Sequence, residues 1–64
     1  MSAKLILNDQ EYEVEPGTTI LYALVRLDID VRVVHAIQDG ELISLQTELE
    51  DKDIVKLVPL IAGG

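Results

Sequence analysis

The stretch Glu15-Pro16-Gly17-Thr18-Thr19-Ile20-Leu21 ends one kind of backbone and begins another. Before it, Glu11-Tyr12-Glu13-Val14-Glu15 alternates strictly between polar and apolar residues. A strand has a side-chain period of two, so Tyr12 and Val14 share one face and the three glutamates share the other. Pro16 has no N–H to donate and Gly17 lets the chain turn, so the strand stops there. Thr18-Thr19 then offers a hydroxyl N-cap, although neither threonine is followed three residues later by the Glu or Gln of a full capping box. Beyond it Ile20, Leu21, Leu24, Val25 and Leu27 recur at helical spacing, with Tyr22, Ala23 and Arg26 in the gaps. This predicts an amphipathic helix ending near Asp28, with Ile29-Asp30 as its exit.

Working outward, Lys4-Leu5-Ile6-Leu7-Asn8 is a short apolar run fit for a mostly buried strand, and Asn8-Asp9-Gln10 supplies the turn of a hairpin. After the helix, Val31 to Ile37 is β-branched and apolar enough for a central strand. Asp39-Gly40 signals a second hairpin, with Glu41 to Ser44 returning. Leu45 to Glu50 connects, with Leu45 and Leu49 expected in the core. Asp51-Lys52-Asp53 turns the chain into a last strand, Ile54 to Leu60, whose regular pairing should fail near Pro59. The fold class is therefore α+β: one helix packed across a mixed sheet of four to five strands. If Val55 and Leu57 face the helix, Ile54, Lys56, Val58 and Leu60 face outward, joined by Ile6. That leaves an apolar patch on the open sheet face, suited to a protein contact.

The chain has 64 residues and no cysteine, so a single domain must stand on aliphatic packing alone. Its net charge of −7, twelve acids against five bases, argues against nucleic acid as a partner. The acids serve solubility on the plain reading and attraction to a basic partner on the sharper one. No apolar run approaches the roughly 18 residues of a membrane span, so no membrane association is expected. Met1-Ser2-Ala3-Lys4 leads straight into a strand pattern, which gives no signal peptide and a cytoplasmic location as the expectation.

No catalytic constellation is visible. His35 is the only histidine and has no cysteine near it to build a metal site, so no metal is expected. Alternation places it with Val33 and Ile37, as a partly buried sheet residue. Ser2 and Ser44 lie in no nucleophile motif. Glu11, Glu13 and Glu15 read as a solvated strand face, and Gly17 and Gly40 as isolated turn residues. The remaining candidate is the end itself. Gly63 and Gly64 lack Cβ atoms, so they fit a narrow channel and place an unhindered α-carboxylate within reach of another protein's active site. Residues 1–60 are thus read as the folded body and residues 61–64 as a flexible tail.

Taken together, the hairpin, the Pro-Gly-Thr-Thr entry into a helix, the Asp-Gly hairpin, the final strand and the closing Gly63-Gly64 resemble the β-grasp, ubiquitin-like sulfur carriers of the ThiS/MoaD family. The resemblance covers nearly the whole chain and is carried most by Glu15 to Leu21 and by Leu49-Glu50-Asp51-Lys52-Asp53-Ile54-Val55. Members often have Asp-Gly-Asp before the last strand, where this chain has Lys52 in the middle, a departure that bears on the turn type.

The resemblance implies a carrier and not an enzyme. An E1-like adenylyltransferase would bind Ile6, Val58, Leu60, Ile61 and Ala62, thread the tail, and adenylate the carboxylate of Gly64 beside Gly63. A persulfide donor would convert it to a thiocarboxylate for an acceptor enzyme: thiazole synthase, the molybdopterin synthase large subunit or a tRNA thiolase. The chain would bind no cofactor, ATP and magnesium belonging to the activating enzyme. The alternatives are a ubiquitin-like modifier joined to lysines through Gly64 and an interaction domain with an inert tail.

Overall fold

A computed structural model describes residues 1–60. The elements are β1 (Ala3–Leu7), β2 (Gln10–Val14), α1 (Ile20–Arg26), a 3-10 turn (Val31–Val33), β3 (Val34–Gln38), β4 (Glu41–Ile43) and β5 (Ile54–Pro59). The strands form one five-stranded sheet in the order β2-β1-β5-β3-β4. β1 runs parallel to β5, and the other three pairings are antiparallel. The sheet is mixed and carries one helix, as the sequence predicts. Its centre, however, is the last strand, and the strand expected there, β3, lies one place toward the edge.

Alternation builds the core. Ala3 and Leu5 of β1, Val34 and Ala36 of β3, and Val55 and Leu57 of β5 are buried against Ile20, Ala23 and Leu24 of α1, with Leu49 from the connection closing the cluster. All ten are aliphatic, and no polar side chain among the described residues is buried with them. Val25 does not belong to this stripe and is 62% exposed. Seven residues make only two turns, whose inward line is Ile20, Ala23/Leu24 and Leu27. Val25, five residues after Ile20, is rotated about 140° away from it.

The short helix is held at both ends. Thr19 is the N-cap, and its Oγ1 accepts from the Tyr22 N–H at 3.1 Å. The connection from Ser44 to Glu50 lies against the helix start, where Thr47 O accepts from Ile20 N and Leu45 O from Leu21 N. The first N–H groups, which a helix cannot satisfy from within, are thereby paired. At the other end Asp28 (φ 62°) is left-handed, Ile29 N donates to Leu24 O and Asp28 N to Val25 O. That is a Schellman close with aspartate where glycine is usual.

Positive φ also shapes the turns on either side of β4. Asp39 and Gly40 (φ 54° and 80°) form the two-residue loop of the β3–β4 hairpin. In the turn Glu50–Asp53, Asp53 N donates to Glu50 O at 3.0 Å and Lys52 has φ 72°. Positive φ at the third residue alone is the type II arrangement, which favours glycine. The lysine has taken a glycine's backbone, so the departure at Lys52 leaves the turn in place.

Three expectations are corrected. The first hairpin sits one residue earlier than read, with Asn8-Asp9 alone as its loop and Leu7 opposite Gln10. The segment read as a strand from Val31 begins as a 3-10 turn because the Asp30 carboxylate accepts from the Arg32 N–H at 2.9 Å and caps it. Pairing does not fail at Pro59, which stands opposite Val34. The next N–H, that of Leu60, reaches Val33 O at 2.6 Å, so antiparallel alternation turns the nitrogen of Pro59 away from β3. On that other side β1 has already ended, and the missing donor costs nothing.

Candidate functional site: the open sheet face and the base of the tail

The face of the sheet away from α1 carries the alternate residues of every strand. Register places Glu11, Ile6, Lys56, Ile37 and Leu42 in one row across all five strands. A second row sets Val58 opposite His35. Ile54, Leu60 and Leu42 are 56%, 42% and 65% exposed, while Ile6, Ile37 and Val58 are half-buried by their neighbours. This is the outward patch expected from the alternation of β5, and Ile6, Val58 and Leu60 all lie on its side of the sheet.

The patch is wider than the sequence reading. His35 is exposed on this face, not partly buried, because among the described residues β4 pairs only with Ala36, Ile37 and Gln38 and leaves the β4 side of His35 open. Ile37 and Leu42 were not singled out as partner-binding residues. The two-residue Asp39-Gly40 loop fixes them as opposite partners and could have revealed them.

Charge frames the patch. Glu11, Glu13 and Glu15 are exposed along β2 and just past its end, on the side of the sheet farthest from β4. Lys4 Nζ lies 3.5 Å from Glu11 Oε1, an exposed pair worth about 0–1 kcal/mol. At the other side, the Arg32 guanidinium beside Asp30 donates to its carboxylate at 3.1 and 3.2 Å and holds it below the usual aspartate range.

The backbone defines where the body stops. The Leu60 N–H bonded to Val33 O is the last tie in the described chain, and Val33 closes the turn capped by Asp30. Ile61, Ala62, Gly63 and Gly64 lie outside the described residues. Four residues span at most about 14 Å, which bounds the distance from Leu60 to the Gly64 carboxylate. Among the described residues, no three His, Asp or Glu side chains converge in a way that could hold a metal ion. No helix among them is long and apolar enough to cross a membrane.

Comparison with known proteins agrees with this architecture. Among curated proteins no significant match is found. Of solved structures, ubiquitin from Caldiarchaeum Subterraneum superposes with a TM-score of 0.62 at 17% identity, covering 100% of this chain and 98% of its own. The crystal structure of ATBAG1 in complex with HSP70 matches with a TM-score of 0.68 at 10% identity, covering 97% of this chain. The present chain spans 41% of the length of that one. At such identities the likeness is one of fold, and the fold is the ubiquitin-like β-grasp. The ThiS family model matches residues 3–64, a span that includes the hairpin, the helix, the central strand and the Gly-Gly end. On that match the chain belongs to the ThiS family, small proteins of the sulfur-carrier type.

Proposed function

We propose that this chain carries sulfur as a thiocarboxylate on Gly64. The observation that carries the reading is the family match running through Gly63-Gly64 together with a body whose last tie, at Leu60, stands beside an exposed apolar face. A carboxylate resists nucleophiles because its carbonyl carbon is electron-rich and oxide is a poor leaving group. Attack of the Gly64 carboxylate on the α-phosphate of ATP, held with magnesium by an E1-like enzyme, releases pyrophosphate and gives an acyl adenylate. The terminal sulfur of a persulfide then adds to the carbonyl carbon and AMP departs. A thiol reduces the resulting acyl disulfide, leaving the thiocarboxylate on Gly64 and a disulfide on the donor.

Every one of these groups belongs to the partner enzymes except the carboxylate. What this chain supplies is placement, the term that dominates such steps. Ile6, Val58 and Leu60 dock the body, and Ile61 and Ala62 lead the glycines inward. With about 14 Å of chain to spend, the activated carbon has to lie close to the docking face. The acceptor is an enzyme of the thiazole synthase, molybdopterin synthase large subunit or tRNA thiolase kind, acting in the cytoplasm.

The test is mass spectrometry of variants. Gly64→Ala, or one residue added after Gly64, should abolish oxygen-for-sulfur exchange while the circular dichroism spectrum is unchanged. Exchange persisting at the terminus of either variant would overturn the assignment.

A further inference from the structure

A second surface lies on the opposite margin from β4. Among the described residues β2 is an edge strand, paired only with β1. Its two-residue loop makes Leu7 and Gln10 a hydrogen-bonded pair, so alternation leaves Glu11 and Glu13 in non-bonded pairs with Ile6 and Lys4. The Lys4 N–H confirms this parity by turning away from β2 to Asp53 O at 2.8 Å. The backbone N–H and C=O of Glu11 and Glu13 therefore point outward from the sheet, unpaired by any strand. Beside this edge, between β2 and α1, runs a groove of about 310 Å³. Its apolar lining is Val14, Ala23, Leu27 and the ring of Tyr22. Arg26, at its rim, is held back on that ring, its Nη1 donating to the Tyr22 hydroxyl at 3.1 Å.

We propose that β2 pairs with an extended segment of another protein in which basic and apolar residues alternate. The backbone of such a segment completes the ladder at Glu11 and Glu13. Its residues opposite those glutamates emerge on the open face, where Glu11 and Glu13 stand about 6.6–6.8 Å apart, the two-residue rise of a strand. Lysine or arginine fits there, and the intervening side chains turn into the groove.

Charge decides the occupant. A second copy of this chain laid against β2 sets glutamate against glutamate, which disfavours self-pairing. Lys4 and Ser2 already touch Glu11 and Glu13, but one at 3.5 Å and the other through a neutral hydroxyl, so the edge keeps its negative charge. The other edge, β4, has three residues and one outward pair, too few for the same purpose. This surface is independent of Gly64 and stands whether or not the tail is activated.

The experiment uses the full chain labelled with nitrogen-15 and carbon-13 and a short capped peptide alternating lysine and valine. Binding should shift the amides of Glu11, Glu13 and Glu15 and the methyls of Val14 and Leu27. N-methylation of the lysines, whose N–H groups face β2 in an antiparallel pairing, should weaken binding at least tenfold, while N-methylation of the valines should spare it. Glu11→Lys with Glu13→Lys should weaken the parent peptide at least tenfold with the spectrum otherwise intact. Equal binding by both methylated peptides, shifts centred on His35 and Val58, or no binding at all would each overturn the proposal.

Discussion

Lys52→Gly should stabilise this protein, although it deletes a side chain. Lys52 is exposed, makes no ion pair with a described residue, and sits at φ 72° in the third position of the Glu50–Asp53 turn. A side chain in the left-handed region costs about 1–2 kcal/mol because Cβ crowds the following carbonyl. Glycine removes that cost and adds about 0.5–1 kcal/mol of backbone entropy to the unfolded chain. The difference is a gain of about 0.5–1 kcal/mol, and each kcal/mol moves the midpoint of a 60–100-residue domain by about 4–8 °C. The two bonds through this turn, Lys52 N to Ser2 O at 2.7 Å and Asp53 N to Glu50 O, are backbone bonds and survive the change. Thermal unfolding by circular dichroism should therefore show a rise of about 2–8 °C, with the urea m-value unchanged. Lys52→Ala keeps the Cβ and should gain nothing. If alanine stabilises as much as glycine, or if glycine lowers the midpoint, strain at this position is not the cause.

Three further outcomes follow from the same geometry. Thr19→Ala leaves the Tyr22 N–H without its cap and should cost about 0.5–2 kcal/mol, read by urea denaturation; no loss would mean the Ser44–Glu50 connection holds the helix start unaided. Asp30 is held ionised by Arg32, so its contribution is present above the ordinary aspartate pKa of about 3.9 and is lost as pH falls below that value. Thermal midpoints taken on the acid side should fall less steeply for Asp30→Asn than for the parent, and equal slopes would contradict the role given to this turn. Val58→Asp places a charge opposite His35 on the open face and should weaken capture by the activating enzyme at least tenfold, by surface plasmon resonance, with the fold retained; unchanged affinity would remove that face from the docking surface.

Much of this was readable from short-range rules. Alternation in Glu11–Glu15 and in Ile54–Val58 gave the faces, because a period of two survives whatever the strand pairs with. Thr18-Thr19 announced the helix start, which the structure caps with Thr19, and Asp39-Gly40 the hairpin, because each is a local solution to a backbone problem. What escaped reading depends on partners distant in sequence. Val25 looked apolar enough for the core, but only the orientation of a two-turn helix tells that it faces solvent. His35 was assigned its correct face without its exposure, which depends on how far β4 runs beside β3. The Leu45–Glu50 segment read as a connection, yet its carbonyls finish the helix start, a role with no signature in its own residues. The pairing through Pro59 depended on which way its nitrogen turns, and that follows from the register of β3 with β5, marked by the bond from Leu60 N to Val33 O. The outward residues of the candidate site were read from alternation, whereas Ile37 and Leu42 joined them only through hairpin register.

The central claim is that the Gly64 carboxylate is activated by another protein while the body docks through its open face. The most direct measurement is the intact mass of the unmodified chain after incubation with an E1-like enzyme, ATP, magnesium and a persulfide donor, with fragmentation to locate any change. Replacement of one oxygen by sulfur, confined to Gly64 and dependent on ATP, is the predicted result. An unchanged mass under conditions that convert the activating enzyme's own carrier, or sulfur found at any other residue, would contradict the account.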